Sequence, residues 1–380
     1  MKKSRLLPLY LTQASRQFAI SLLSLFSAIY IYKTFDSLTF VFLFFLLLHI
    51  SKLLTNFLAE ELSLKVGLKR QIYLGLSFFI FSIGFLFFSQ KYSLLVFPAA
   101  LFWGISAGFY WFGRLGLMAK LAENGHYGRV LGKQEIISLI PFLVSPVLGG
   151  ALINWLGYGA LFSVSLIFVI VSLFALRPLP EQKTHYDTSP AEILSLFKNH
   201  KRMFFSYFGD SAAATIYRVS FPLYLFLILK TELSIGEFFS LALILVAILN
   251  FFIGKFVDVR GKKGLIAFGS VFSFFIWLGR VMSKTVGFLF FLDVSDRAVE
   301  KMAAIPLEVL TYEKALEGGA TGRAVLFREI AIEMGAIFVC FMLLILGNLR
   351  LSFLLAAVLT LFPLSLLKKG GLYGDGHKKK

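Results

Sequence analysis

The sequence predicts an all-α integral membrane protein of twelve transmembrane helices, built as two related six-helix halves. Three observations predict this fold class. The chain is 58% hydrophobic and only 16% charged, so it has too little polar surface to cover a globule in water. Its apolar runs are about 20 residues long and lack the alternation that is typical of strands. The second half of the sequence also repeats the first.

The apolar runs place twelve predicted spans along nearly the whole chain. Their approximate bounds are 8–32, 38–58, 71–89, 93–118, 134–155, 159–176, 203–229, 236–254, 265–283, 286–311, 328–347 and 350–367. The spans form an N-terminal half, residues 1–176, and a C-terminal half, residues 203–367. Residues 177–202 between them are a predicted cytoplasmic linker that ends in a short amphipathic surface helix, and residues 368–380 are a basic cytoplasmic tail.

The net charge of +17 follows the predicted topology, so we do not expect a nucleic-acid partner. With the N-terminus inside, 26 Lys and Arg residues fall in cytoplasmic segments and six fall outside. The six outer residues are Lys33, Lys91, Lys230, Arg280, Lys284 and Arg350. We therefore expect a multi-pass protein of the cytoplasmic membrane with both termini in the cytoplasm. The basic tail is expected to contact anionic lipid.

An internal repeat appears when the sequence is shifted by 194 residues, which aligns positions 56–136 without a gap. The informative matches include Gly67/Gly261, Lys69/Lys263, Gly75/Gly269, Gly128/Gly322 and Arg129/Arg323. Two parallel halves related by an axis along the membrane normal are one of the architectures of transporters. Such proteins place the solute near the midplane between the halves.

One short motif lies between the eighth and ninth predicted spans, in the stretch "GKFVDVRGKK". Its residues are Gly254, Asp258, Arg260, Gly261, Lys262 and Lys263. Glycine permits a tight turn at the membrane edge, and the basic residues favour the cytoplasmic side. The motif resembles the loop motif of the major facilitator superfamily, which implies the major facilitator fold. The first-half copy departs from it, since Glu60 replaces the first Gly and Leu64 replaces the Asp.

A second likeness lies in the fifth predicted span, "GKQEIISLIPFLVSPVLGG". Its spacing is similar to the antiporter motif of the drug:proton exporters in that superfamily. The matching residues are Gly132, Pro146, Gly149 and Gly150. Small residues and Pro also let helices approach closely and bend, so plain helix packing is the alternative reading. The basic residue that those exporters carry midway along the fourth span is missing, since Ala100 or Leu101 stands near that place.

The resemblance implies that the first, fourth, seventh and tenth spans line a central cavity. Charged residues fall on these four spans. They are Arg16, Arg114, Asp210, Arg218, Asp293, Asp296, Arg297, Glu300, Lys301 and Glu308. A charge at a helix centre costs roughly 2.5–3.5 kcal/mol on insertion scales, so these ten must be paired or hydrated.

The tenth span holds six of these charges, and at 100° per residue they lie in an arc of about 140° on one face. Asp293 and Arg297 are spaced to pair, whereas Asp296 and Glu300 are spaced to repel. Repelling carboxylates hold a proton more readily, so we expect Asp296 or Glu300 to carry protons in a proton-coupled protein. The alternative is a structural network that is fully paired within this helix.

The 194-residue shift also pairs opposite charges at equivalent places in the two halves. It relates Arg16 to Asp210 and Arg114 to Glu308, all in the cytoplasmic halves of their spans. We hypothesise that Arg16–Asp210 and Arg114–Glu308 are bridges that close the cytoplasmic side and separate when it opens.

The predicted function is secondary active transport of a small solute by alternating access. A proton-coupled exporter of amphipathic compounds is the first form of this prediction, and uptake of a charged or zwitterionic metabolite is the alternative. A membrane sensor that transports nothing is a second alternative. The sequence holds no clustered nucleophile, metal set or phosphate loop, so an enzyme, a cofactor and a metal are not expected. The protein is expected to act as a monomer.

Overall fold

The computed structural model describes residues 7–121, 127–183, 190–257, 262–300 and 321–367. These ranges are helical apart from short connections. The helices are α1 Leu7–Phe35, α2 Leu38–Lys65, α3 Leu68–Phe88, α4 Val96–Leu121, α5 Tyr127–Leu156, α6 Tyr158–Ala175, α7 Pro190–Asn199, α8 Lys201–Leu229, α9 Glu232–Val257, α10 Lys262–Met282, α11 over residues 286–300, α12 Thr321–Leu346 and α13 Leu349–Leu359. Short 3₁₀ turns occupy Ser93–Leu95 and Phe362–Leu367.

Several predicted site residues lie outside the described residues. They are Asp258, Arg260, Gly261, Lys301 and Glu308, together with the side chains of Lys262 and Lys263. The basic tail, residues 368–380, also lies outside them.

Ten helical stretches of the described chain are long and apolar enough to cross a membrane, so twelve spans remain a prediction. An eleventh, shorter apolar stretch is Pro141–Leu156 in α5. The large apolar side chains that these helices expose, such as Leu54, Phe88 and Phe275, suit a lipid solvent. An all-helical membrane protein satisfies its backbone groups within each span, because the hydrocarbon layer offers them no partners.

Turns between the helices are short and are set by particular residues. Gly67 separates α2 from α3 with φ of +98°, and Gly157 separates α5 from α6 with φ of +79°, a backbone conformation that favours glycine. Asn348 begins α13, where its side-chain oxygen accepts hydrogen bonds from the N–H groups of Arg350 (2.8 Å) and Leu351 (3.3 Å).

The predicted repeat is visible in the helix bounds. Adding 194 to the end of α1 at Phe35 gives 229, and α8 ends at Leu229. The same shift carries the end of α3 at Phe88 to 282, and α10 ends at Met282. These two helix ends therefore agree with the repeat in the sequence.

The chain packs into two compact units. The first unit contains Met1–Tyr186 and Pro222–Ser240. Its core includes Phe26, Phe79 and Tyr110, each fully buried, where α1, α3 and α4 contribute large side chains.

The second unit contains Asp187–Phe221 and Leu241–Lys380. One of its apolar clusters joins α8, α10, α12 and the last 3₁₀ turn. The members of this cluster are Met203, Phe204, Tyr207, Ile266, Phe327, Ala331 and Leu366. The predicted linker helix is present as α7, and its Leu196 and Phe197 pack against this cluster.

Candidate functional site

A buried ion cluster lies in the second unit between α10 and α11. We call Arg280, Asp293, Asp296 and Arg297 the α10–α11 cluster. Arg280 Nη1 lies 2.8 Å from Asp296 Oδ2, and Arg280 Nη2 lies 3.4 Å from Asp293 Oδ1. Arg297 Nε lies 2.9 Å from Asp293 Oδ2. Tyr217 of α8 donates a hydrogen bond of 2.7 Å to Asp293. Two cations and two carboxylates make the cluster neutral.

Arg280, which the sequence counts among the outer basic residues, lies buried inside the second unit. It lies in the last turn of α10 and its side chain is 0% exposed. Its guanidinium carbon lies 4.3 Å from the ring centroid of Trp277 and 4.6 Å from that of Phe221. A charge near a helix end resembles a loop residue in sequence, but here carboxylates and aromatic faces hold it inside the protein.

The ion pairs of this cluster distinguish the two predicted proton carriers, Asp296 and Glu300. Asp296 accepts a hydrogen bond from Ser273 (3.4 Å) besides its contact with Arg280, so it has a cation of its own. Glu300, in contrast, is exposed and forms no ion pair or hydrogen bond with the residues that the structure describes. The alternative prediction of a fully paired network within one helix is wrong for Asp296, whose cation comes from α10.

Exposed opposite charges lie beside this cluster in the second unit. Arg218 of α8 and Glu300 of α11 are both exposed, and Asp210 of α8 is half-buried. Glu300 lies within electrostatic range of Asp210, Asp296, Arg218 and Arg297. Exposed charges within apolar spans are costly against lipid, so this face of the second unit requires contact with water.

The first unit holds a second group of polar residues, around α1 and α4. Arg16 is 1% exposed, and its guanidinium carbon lies 3.6 Å from the ring centroid of Tyr110. The Tyr110 hydroxyl donates a hydrogen bond of 2.6 Å to Gln13 Oε1. Arg114 is also buried, with its guanidinium carbon 4.3 Å from the ring centroid of Trp111. We call Gln13, Arg16, Tyr110 and Arg114 the α1–α4 cluster.

The two cytoplasmic bridges remain predictions. Arg16 and Arg114 belong to the first unit and Asp210 belongs to the second. Glu308 lies outside the described residues.

An ion pair that sequence reasoning missed joins the end of α1 to the start of α9 within the first unit. Lys33 Nζ lies 2.8 Å from Glu232 Oε1. Tyr158, at the start of α6, donates a hydrogen bond of 2.9 Å to the same carboxylate oxygen. Lys33 also lies 5.7 Å from the Tyr158 ring and 5.9 Å from the Phe226 ring. Glu232 is 199 residues from Lys33 in the chain, so no local pattern indicates the pair. We call Lys33, Tyr158 and Glu232 the α1–α9 lock.

Close approach of α5 and α9 extends this lock. A Cβ added to Gly150 would lie 2.5 Å from the backbone oxygen of Glu232, and one added to Gly236 would meet the backbone oxygen of Pro146. Ser240 of α9 inserts into the backbone of α5, where its hydroxyl donates to the Leu143 carbonyl (2.9 Å) and accepts from the Val147 N–H (3.1 Å). A side chain inserted in this way is one cause of a helix bend.

The predicted helix-five motif is explained in part by these contacts. Gly150 and Pro146 contact α9, and a Cβ on Gly149 would lie 2.6 Å from the Phe26 ring of α1. The residues therefore serve close helix packing, the alternative that the sequence left open. Gly132 lies in α5, in a part whose side-chain surroundings are not described.

The first-half copy of the loop motif, which lacks the motif Asp, receives a carboxylate from elsewhere. Glu181, in the segment after α6, accepts hydrogen bonds from the backbone N–H groups of Lys69 (2.9 Å) and Arg70 (3.2 Å). These groups begin α3, where the helix dipole favours negative charge. The first-half motif has Leu64 in place of the acidic residue. The linker thus supplies a carboxylate at Gly67–Arg70 instead.

Metal binding finds no support in the described ranges, where His, Cys, Asp and Glu side chains do not gather in groups of three or more.

Long apolar helices define the class of protein as a multi-span helical membrane protein, and charges within such spans are typical of transporters. The comparison with protein families agrees, since the family described as Major Facilitator Superfamily matches residues 9–295. The chain belongs to the Major Facilitator Superfamily. It is a multi-pass membrane transporter and not an enzyme. No individual curated protein matches the chain. The likeness to the drug:proton branch remains a prediction.

Proposed function

We propose that the protein is a secondary active transporter that moves a small charged or zwitterionic solute by alternating access. The α1–α9 lock is the observation that carries this proposal. An alternating-access protein must close one side of the membrane while the other is open. The Glu232 carboxylate accepts both an ion pair and a hydrogen bond, and the neighbouring glycines permit close helix contact. These non-covalent contacts can break and form again, as a reversible closure requires.

The lock lies at the outer end of α1 if the excess of basic residues sets the orientation. That excess supports an N-terminus and a C-terminus in the cytoplasm, and the cytoplasmic membrane as the location. In this orientation the lock closes the outer side. The pairs Arg16–Asp210 and Arg114–Glu308 then close the cytoplasmic side in the opposite state, when the lock opens. The protein acts as a monomer in contact with membrane lipid.

The charges of the second unit support a charged or zwitterionic solute. Arg218 and Glu300 are exposed, within electrostatic range of each other, and of opposite sign. A solute that carries both an acidic and a basic group can contact both residues, whereas a purely apolar solute can form an ion pair with neither and would remove water from both.

A second candidate is a proton-coupled exporter of amphipathic compounds. It is favoured by Glu300, which has no ion pair among the described residues and so can bind and release a proton. Asp296 is a weaker carrier than the sequence suggested, because Arg280 compensates its charge. The exposed charges favour a charged solute over an apolar one, so we place this candidate second.

A two-stage experiment tests the proposal. Purified protein is screened for small compounds that raise its melting temperature, and each compound found is assayed for flux in proteoliposomes with and without a pH gradient. Flux of a charged or zwitterionic compound supports the first candidate. Flux of neutral amphipathic compounds that depends on the gradient supports the second. Binding without any flux contradicts transport and favours the sensor alternative.

A further inference from the structure

Three residues of α9 at a spacing of four, Glu232, Gly236 and Ser240, contact α5 one after another within the first unit. Residues four apart lie on one face of a helix. The backbone oxygen of Glu232 would lie 2.5 Å from a Cβ on Gly150, and a Cβ on Gly236 would meet the backbone oxygen of Pro146. We call Glu232, Gly236 and Ser240 the α9 stripe.

The hydroxyl of Ser240 is the polar contact at the inner end of the α9 stripe. It donates to the Leu143 carbonyl (2.9 Å) and accepts from the Val147 N–H (3.1 Å). These two groups are four residues apart on α5, which is the spacing of a main-chain hydrogen bond in an α-helix. A slide of α9 by one residue moves the hydroxyl by about 1.5 Å along the axis and loses this double contact. Ser240 therefore fixes the register of α9 on α5.

The contact of Ser240 can break without leaving an unpaired polar group on either helix. When α9 moves away, the Val147 N–H and the Leu143 carbonyl have each other as partners along α5. The serine hydroxyl can turn to the carbonyl four residues earlier in its own helix, which is that of Gly236. An unpaired backbone group in the hydrocarbon layer costs several kcal/mol, so a contact that opens and closes there requires this property.

Pro146 makes α5 deformable at the same place. Proline has no N–H group, so it cannot serve the Phe142 carbonyl one turn earlier. The hydroxyl of Ser145 donates to that carbonyl instead, at 3.4 Å. Two successive carbonyls of α5, those of Phe142 and Leu143, thus accept from serine hydroxyls. Helix α5 can bend here and follow the approach of α9.

We propose that Ser240 is a positioning residue for transport, which stabilises the state in which the α1–α9 lock is closed. Glu232 and Ser240 are eight residues apart, so the hydroxyl lies about 12 Å farther along α9 than the lock. The two contacts hold α9 both at its end and deeper in the unit, and loss of either favours separation of α9 from α5. This inference rests on the proposed function, because alternating access requires the lock to open.

Distances between spin labels on α5 and α9 test the proposal in the full chain in lipid nanodiscs. The labels are attached to cysteines that replace Trp155, which is 74% exposed near the end of α5, and Glu237, which is exposed on α9. Cys340 is 0% exposed, so its thiol is protected from the labelling reagent. Pulsed electron paramagnetic resonance then gives the ratio of molecules with a long label distance to molecules with a short one.

Ser240→Ala should raise this ratio about two- to tenfold, which is the range for the net loss of one hydrogen bond. The matched control is Ser82→Ala. It removes a buried serine of α3 whose hydroxyl donates to the Ala99 carbonyl of α4 (2.8 Å), and it should leave the ratio unchanged. Glu232→Gln should also raise the ratio. In the double variant Glu232→Gln/Ser240→Ala the two increases should multiply, because two distant contacts oppose the same separation.

Two results overturn the proposal. They are an equal ratio in the wild type and Ser240→Ala, and an equal rise in Ser240→Ala and Ser82→Ala. A lowered melting temperature of Ser240→Ala with an unchanged ratio assigns Ser240 a purely structural role. The proposed function fails separately. A raised ratio in a protein that transports none of the screened compounds leaves the role of Ser240 and removes transport, whereas flux with an unchanged ratio in Ser240→Ala leaves transport and removes that role.

Discussion

Replacing Arg280 by methionine should destabilise the protein more than any exposed charge substitution. The side chain of Arg280 is 0% exposed and contacts Asp296 at 2.8 Å and Asp293 at 3.4 Å. Methionine fills similar space but removes the charge, so Asp296 stays buried without its cation. Asp293 keeps Arg297 and the hydroxyl of Tyr217.

The size of the effect follows from burial. Removing one partner of a buried ion pair costs about 3–5 kcal/mol, because the other charge remains in a low dielectric. Loss of the contacts between the guanidinium and the rings of Trp277 and Phe221 adds about 1 kcal/mol. We therefore expect a loss of about 4–6 kcal/mol in the free energy of unfolding. The double variant Arg280→Met/Asp296→Met should lose less than the sum of its single substitutions, since no unpaired acid is left.

Unfolding in mixed detergent micelles measures this loss, and intrinsic fluorescence reports it because Trp277 lies against Arg280. The matched control is Lys65→Met, which breaks an ion pair with Glu61 of 2.6 Å whose side chains are 69% and 67% exposed. Exposed pairs of this kind contribute little to stability, because water and salt screen them. An Arg280→Met protein within about 1 kcal/mol of the wild type would refute a compensated buried cluster.

Three further predictions concern other parts of the molecule. Glu181→Gln should lower the stability of the start of α3 by about 1 kcal/mol, since the helix dipole loses its anion, and hydrogen exchange of the Lys69 amide should become faster. Gly150→Ala should reduce solute flux, because its Cβ would meet the α9 backbone at 2.5 Å. The control Gly84→Ala has open space around its Cβ and should leave flux unchanged. Equal flux in the two variants would contradict the α5–α9 contact. If the protein couples to protons, Glu300→Gln should make flux in proteoliposomes independent of a pH gradient, and retained dependence would remove Glu300 as the carrier.

Much of the fold could be predicted from the sequence, because each membrane span must be apolar enough to lie in the hydrocarbon layer. The prediction of 71–89 for the third span becomes Leu68–Phe88 in the structure, and 265–283 becomes Lys262–Met282. The early starts share one reason: basic residues at the membrane edge continue the helix, while the hydropathy pattern counts only the apolar part.

The candidate site was predicted less completely, because its partners are far apart in sequence. The spacing of Asp293 and Arg297 indicated a pair, which is observed at 2.9 Å. Arg280 was missed, although one signal pointed to it: α11 carries two aspartates near one arginine, so one acid required a cation from another helix. Glu232 gave no such signal. Its partner Lys33 lies far away in the sequence, and only the packing of the helices brings the two residues together.

Reversible closure of the α1–α9 lock tests the central claim most directly. Lys33 and Glu232 are replaced by cysteine, and a short reducible cross-linker joins them in proteoliposomes that transport a compound from the screen. A control pair at Glu61 and Lys65, both on α2, receives the same treatment. Alternating access predicts that cross-linking stops flux in the lock variant only, and that reduction restores it. The account would be contradicted if flux were undiminished when the cysteines that replace Lys33 and Glu232 are fully cross-linked.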